Sequence, residues 1–180
     1  TRDERAFAHL TDALGRDSYL EVIRAHALAG MAELRDERAI DVAREYAAYG
    51  RPPRARVAAL GTLARFAAIK ENRRVEILDF MSPLADDREF MVRMRIPSAF
   101  SEVGDQRALP ALRRLADRDL DGRIQRHAND AIAAISEGRG RIEEGQRLRE
   151  DIDKLRDDNK KLQERLEKIE ALAVARDKPA

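Results

Sequence analysis

The sequence predicts an all-α chain, a solenoid of about four helix pairs running into a C-terminal helix that forms a coiled coil. Three observations lead there. A short turn signal returns at nearly constant spacing, small and apolar residues return at helical spacing ahead of each signal, and strand-forming residues are thinly spread. Aromatics are only 4% of the 180 residues and Trp is absent, while Ala, Leu and Arg dominate.

The turn signals are Asp3-Glu4-Arg5-Ala6, Asp36-Glu37-Arg38-Ala39, Asn72-Arg73-Arg74-Val75 and Asp105-Gln106-Arg107-Ala108, spaced 33, 36 and 33 residues apart. A fixed period in this range marks stacked repeats. Asp or Asn at these points is expected to accept hydrogen bonds from the free N–H groups of a helix start, and Asp also suits the positive end of the helix dipole. Ahead of each later signal stands a first helix, with the register positions Arg24, Arg56, Arg93 and Gln125 falling 32, 37 and 32 apart. Each unit therefore reads as a first helix, a tight turn and a second helix.

In order, Asp3 to Leu14 is a second helix without its partner, carrying the apolar stripe Phe7, Leu10 and Leu14. A terminal helix leaves such a stripe partly exposed, and natural arrays end in polar caps, so further protein upstream is expected. Ser18-Tyr19-Leu20-Glu21 reads as a capping box opening the first complete unit, which runs through Tyr46 with its turn at Leu34-Arg35-Asp36. Gly50 ends that unit and Pro52-Pro53 open the next. Ser82-Pro83 break the chain before the third unit. Pro97 falls inside a first helix and should kink it, and Pro110 makes the following helix irregular or late to begin. Domain boundaries follow: 1–137 solenoid with a truncated first repeat, 138–141 hinge, 142–175 coiled-coil helix, 176–180 disordered tail.

The coiled-coil reading rests on a heptad. Leu148, Leu155, Leu162 and Ile169 take d, and Ile152, Asn159, Leu166 and Ala173 take a. Ile152 at a with Leu at d favours two parallel strands, and Asn159 at a fixes register, so Ile152, Asn159, Leu162 and Leu166 are the residues expected to set a parallel homodimer. The alternative is one highly charged helix lying on a larger parent protein.

Charged residues are 38% of the chain, yet net charge is only +1, with 24 basic against 23 acidic residues up to Gly140 and 11 against 11 beyond. That balance argues against nucleic acid as partner. No apolar run approaches the ~20 residues that span a bilayer, so no membrane is expected as partner. With no Cys, disulfide and thiolate chemistry are excluded, and the compartment stays undetermined. His9, His26 and His127 lie far apart without metal spacing, and no nucleophile, phosphate-loop or zinc motif occurs. No catalytic, cofactor or metal residue is therefore assigned. Asp117-Arg118-Asp119-Leu120-Asp121-Gly122 lacks the distal Glu of a calcium loop, and Asp121 reads as a helix cap. Arg24, Arg56 and Arg93 read as structural, bonded to turn carboxylates between units.

The stretch that departs most from the repeat is Tyr46 to Arg54, which gathers two tyrosines and two arginines. Departures of this kind often lie on a binding face, so Tyr46, Tyr49, Arg51 and Arg54 are the candidate protein-contact residues. The same residues fit an uninvolved, solvated surface equally well.

Met91-Val92-Arg93, followed by Val103-Gly104-Asp105-Gln106-Arg107-Ala108-Leu109-Pro110-Ala111-Leu112, resembles the hallmark of bacterial HEAT-like repeats. Val22 to Met31, Tyr49-Gly50-Arg51-Pro52, Arg56 to Gly61, and the charged tail are further similar to the C-terminal HEAT region of gluzincin, alanyl-aminopeptidase-like zinc aminopeptidases. That resemblance implies a non-catalytic C-terminal region that shapes substrate access to an upstream zinc domain and contacts it. It implies zinc in that upstream domain and no cofactor in this chain. The alternative is a stand-alone HEAT-repeat scaffold that binds a protein or peptide partner and self-associates through its coiled coil.

Overall fold

The computed structural model describes residues 4–138, and the notation α1 to α8 follows chain order. The helices are α1 (Glu4–Leu14), α2 (Val22–Leu34), α3 (Arg38–Ala47), α4 (Pro53–Ile69), α5 (Glu71–Met81), α6 (Phe90–Val103), α7 (Leu109–Arg118) and α8 (residues 122–138). Among the described residues there is no strand. The pairs α2–α3, α4–α5 and α6–α7 are complete units; α1 and α8 are the halves that flank them. The array is therefore three full pairs with a half at each described end, close to the four expected. The expected hinge beyond residue 138 and the coiled coil with Ile152, Asn159, Leu162 and Leu166 lie outside the described residues.

First helices stack on first helices: α2 packs on α4 and α4 on α6, while α3 and α5 both close on α4. One continuous core results. Its largest fully buried side chains include Leu28, Met31, Ile40, Leu60, Phe66, Ile96, Phe100 and Leu112. Between them sit alanines with no exposed surface, Ala39, Ala43, Ala55, Ala59 and Ala67, where small side chains let helix axes approach closely. Thr62 is the polar exception: its buried hydroxyl donates to the Leu28 carbonyl at 2.8 Å, tying α4 to α2.

The turns within units are built in two ways. Asp36 and Asp105 each accept the backbone N–H two residues on, from Arg38 at 3.0 Å and Arg107 at 2.9 Å, and pair with that arginine's side chain. Asp121 repeats the device at the start of α8 with Arg123. Asn72, expected to cap in the same way, does not. α5 begins one residue earlier, at Glu71, and the turn is closed from the other side by Arg74, which donates to the carbonyls of Ala67 and Ala68 at the end of α4. An arginine satisfying the last carbonyls does the work a capping carboxylate does elsewhere.

Ser18 and Glu21 also depart from the expected reciprocal box. Ser18 Oγ accepts from Ile23 N–H, five residues on, and Glu21 turns to Arg24. Leu20 and Glu21 both adopt positive φ, so the chain makes a tight 3₁₀ turn there and α2 starts only at Val22. Pro97 removes one backbone bond, yet α6 runs unbroken, because buried Ile96, Ala99 and Phe100 hold it to its neighbours on both sides. Pro110 behaves as expected: a 3₁₀ turn at Gln106–Ala108 precedes α7, with Pro110 in the first turn. On α1, Leu14 is buried, and Phe7 and Leu10 pack partly buried against the core. Leu10 lies where a Cβ on Gly30 would sit 3.2 Å away, so that glycine sets how closely α1 approaches α2.

Candidate protein-contact surface

Helix pairs stacked in this order bring every loop that joins one unit to the next onto the same edge. Those loops are residues 15–21, 48–52, 82–89 and 119–121. Their positions are fixed by the register arginines, each of which donates backward to a carbonyl closing the preceding helix or loop. Arg24 Nε reaches Leu14 at 2.7 Å, Arg56 Nε reaches Ala47 at 2.9 Å, and Arg93 Nη1 reaches Asp87 at 2.9 Å. Gln125 continues the series with a bond to the Asp119 carbonyl at 2.7 Å.

Arg56 and Arg93 also reach forward to a carboxylate in the next loop. Arg56 forms two bonds to Asp87, at 3.0 and 2.5 Å, and Arg93 Nε bonds Asp119 at 2.6 Å. Both carboxylates in turn cap their own loops, Asp87 through Glu89 N–H and Asp119 through Asp121 N–H. The structural role expected for the arginines holds, but the carboxylates come from the loops between units. Asp36 and Asp105, within units, are occupied by their own helix starts. Burial alone would push the Asp87 carboxyl up. The hydrogen bonds from Arg56 and the Glu89 N–H, with the charges of Arg56 and Arg93, outweigh that and hold it below its ordinary value.

The forward bond is missing once. The position that matches Asp87 and Asp119 in the second loop is Gly50, with φ +88°, so Arg24 has no carboxylate ahead of it. It turns instead to Glu21 and Asp17, at 2.6 and 2.7 Å. This is the physical content of the irregular stretch from Tyr46 to Arg54.

Of the candidate residues in that stretch, Tyr46 faces inward and Arg51 lies half-exposed over it. Tyr46 packs against the core and its hydroxyl lies 3.4 Å from the Leu14 carbonyl. Arg51 stacks over the Tyr46 ring at 4.8 Å and pairs with Glu45. The structure thus brings Tyr46 and Arg51 together as a strut between α3 and the loop. Tyr49 and Arg54 face solvent: Tyr49 keeps 76% of its surface, and Arg54 is exposed with no side-chain partner among the described residues.

Tyr49 has company that the sequence reading missed. Tyr19 is 85% exposed in the first loop and Leu120 is fully exposed in the fourth, with Pro83 exposed in the third. Tyr19 and Leu120 each stand five residues before a register position, Arg24 and Gln125, a coincidence visible in the sequence once the register is known. Two clefts run between the loops. One, of about 440 Å³, is lined by Tyr49, Pro83, Asp86, Asp87 and Arg88. The other, of about 520 Å³, continues from Asp86 and Asp87 past Phe90 and Arg118 to Leu120. Asp86 and Asp87 line both clefts.

The face made by the first helices is different. There Glu33, Arg65, Glu102 and Arg95 run as an ion-pair chain from α2 to α6, and Arg95 Nη2 lies where a Cβ on Gly61 would come within 3.0 Å. Its charges are matched within the chain. His9, His26 and His127 are exposed; the His26 ring only bonds the Val22 carbonyl of its own helix at 2.8 Å. Among the described residues no cluster of metal-ligating side chains occurs, and no helix is long and apolar enough to cross a membrane.

The class these features define is an all-α solenoid of stacked helix pairs. Residues 47–133 match the family model for HEAT repeats, and the array of stacked helix pairs is HEAT-like. No curated protein matches the chain.

Proposed function

We propose that this protein is a non-catalytic scaffold that binds a protein partner along the edge formed by its inter-unit loops. The observation that carries this reading is the recurrence of an exposed apolar side chain in successive loops, at Tyr19, Tyr49, Pro83 and Leu120, with two clefts between the last three loops. Exposed apolar groups that gather on one edge support an interaction site in a way that scattered ones do not. The test is a photo-crosslinking residue placed in the full chain at Tyr49, at Leu120 and, for comparison, at exposed Val75 on α5, followed by mass-spectrometric identification of adducts in native host cells. The same partner captured from both loop positions and not from Val75 supports the reading. Equal capture from all three, or none, overturns it.

Two finer parts belong to the same proposal. The first is an accessory role beside a zinc aminopeptidase domain, shaping substrate access; it rests on the sequence resemblance alone. An H-E-x-x-H motif encoded upstream in the same reading frame would carry it, and an upstream region without one would remove it. The second is self-association through the tail, for which sedimentation velocity of the chain and an Asn159→Leu variant is the measurement. A concentration-independent monomer would end the dimer proposal.

A further inference from the structure

The stack of first helices has an uncovered end at α2, and the repeat itself shows what covers such a face elsewhere. The position just before each register residue has no exposed surface in three first helices, at Ala55 of α4, Val92 of α6 and Ile124 of α8. At the same position on α2, Ile23 keeps 38% of its surface. Leu20 and Val22 beside it are exposed as well. The difference follows from what lies ahead of each helix. α4, α6 and α8 each follow a complete helix pair, whereas among the described residues α2 has only α1 before it. Seven residues along the same face of α2, Gly30 is already met by Leu10 of α1. α1 thus covers the far part of that face, and the part at Ile23 is left bare.

We propose that this bare face holds one more first helix, stacked on α2 as α2 is stacked on α4, and that this helix is the stretch of the same polypeptide leading directly into α1. In a stacked array each unit touches only its neighbours, so the packing of α2 on α4 defines the missing contact. Toward α4, α2 presents buried Leu28 and Ala32, four and eight residues after the register Arg24. Toward α6, α4 presents fully buried Leu60 and Ala64, again four and eight after Arg56. The connection is set by the same repeat. Arg24 precedes Asp36 by 12 residues and Arg93 precedes Asp105 by 12, and Asp3-Glu4-Arg5-Ala6 carries the signal that opens a second helix. The covering helix therefore has its register residue 12 positions ahead of Asp3, a large apolar residue four positions after that, and a small one eight after it.

A second copy of the chain fits this face poorly. The first helix it would offer end to end is α8, whose residues four and eight after the register Gln125 are Asn129 and Ala133, both exposed. Burying the Asn129 amide against Ile23 would leave it without a hydrogen-bond partner.

Because the chain has no Cys, a single engineered thiol reports cover directly. Ile23→Cys and, for comparison, Val75→Cys at an exposed position of α5 are labelled with a maleimide. This is done in the 180-residue chain and in a chain extended upstream along its reading frame by one repeat, any cysteine of the extension being changed to serine. In the 180-residue chain the two thiols should react at similar rates. In the extended chain Ile23→Cys should react about tenfold more slowly, with Val75→Cys unchanged. Ile23→Asp should lower the melting temperature more in the extended chain than in the shorter one. Equal labelling of residue 23 in both chains overturns the proposal, as does an upstream sequence with a charged residue four positions after the register. Slowing that grows with the concentration of the shorter chain assigns the face to a second copy and overturns it too. Crosslinking at Tyr49 and Leu120 reads a different edge, so the scaffold reading and this one can fail separately.

Discussion

Arg56 on α4 and Asp87 ahead of α6 meet in a two-bond ion pair across the boundary between the second and third units, with only 3% and 8% of their side chains exposed. Because Arg56 also holds the Ala47 carbonyl, this one side chain joins the end of α3, the body of α4 and the entry to α6.

Removing one member of a buried pair strands the other in a poorly solvated site. Arg56→Ala should therefore lower unfolding stability by about 3–5 kcal/mol in urea titrations. Asp87→Asn should cost less, since the amide oxygen can still accept from Glu89 N–H. A double-mutant cycle should show coupling, and a loss below about 1 kcal/mol for Arg56→Ala would contradict the pair's role.

Arg35 and Gly104 occupy the same turn position in two units, one before Asp36 and one before Asp105, and both adopt left-handed φ, +57° and +68°. A glycine takes that conformation without strain, whereas a side chain costs about 1 kcal/mol. Gly104→Ala should thus destabilise by about 1 kcal/mol, and Arg35→Gly should stabilise by up to about that amount, read as opposite shifts in melting temperature.

The Arg123 side chain and then its backbone N–H hold the Asp121 carboxyl down to about 2, and Arg38 likewise lowers Asp36. A depressed carboxyl stabilises the fold above its unfolded value of about 3.9 and loses that contribution as pH falls through its folded value. Stability should therefore decline between about pH 4 and about pH 2. Asp121→Asn should flatten part of that decline in urea midpoints measured at neutral and at acid pH, while keeping a cap for α8. An unchanged pH profile would show that the pair contributes nothing.

The tyrosines of the irregular stretch should separate cleanly. Tyr46→Phe gives up only a 3.4 Å hydroxyl contact and should change stability by less than about 1 kcal/mol, whereas Tyr46→Ala opens packing and should cost several times more. Tyr49→Ser should leave the melting curve where it is and abolish crosslinking from Leu120 to the partner. Loss of stability at Tyr49 would mean the ring is structural.

The repeat was legible because helix periodicity, turn residues and small-residue positions are local and recur, so their pattern survives in one dimension. The register Arg24, Arg56, Arg93 and the cap at Asp121 were readable on those grounds, as was the late start at Pro110. Asn72 misled because a cap is one of several ways to satisfy a helix end, and Arg74 supplied another from two residues away. The stretch Tyr46 to Arg54 reads as irregular from the sequence, but its division into packed Tyr46 with Arg51 stacked over it, and exposed Tyr49 and Arg54, depends on the fold.

By itself, then, the sequence determined the helices, the repeat and its phase, since each follows from residues close along the chain. The tertiary structure alone decided which charges are spent. Arg56 finds Asp87 31 residues away and Arg93 finds Asp119 26 away, while Arg54, Arg88 and Arg118, in or next to the same loops, have no side-chain partner among the described residues. Pairing of charges depends on distance in space across a unit boundary, and no local pattern encodes it.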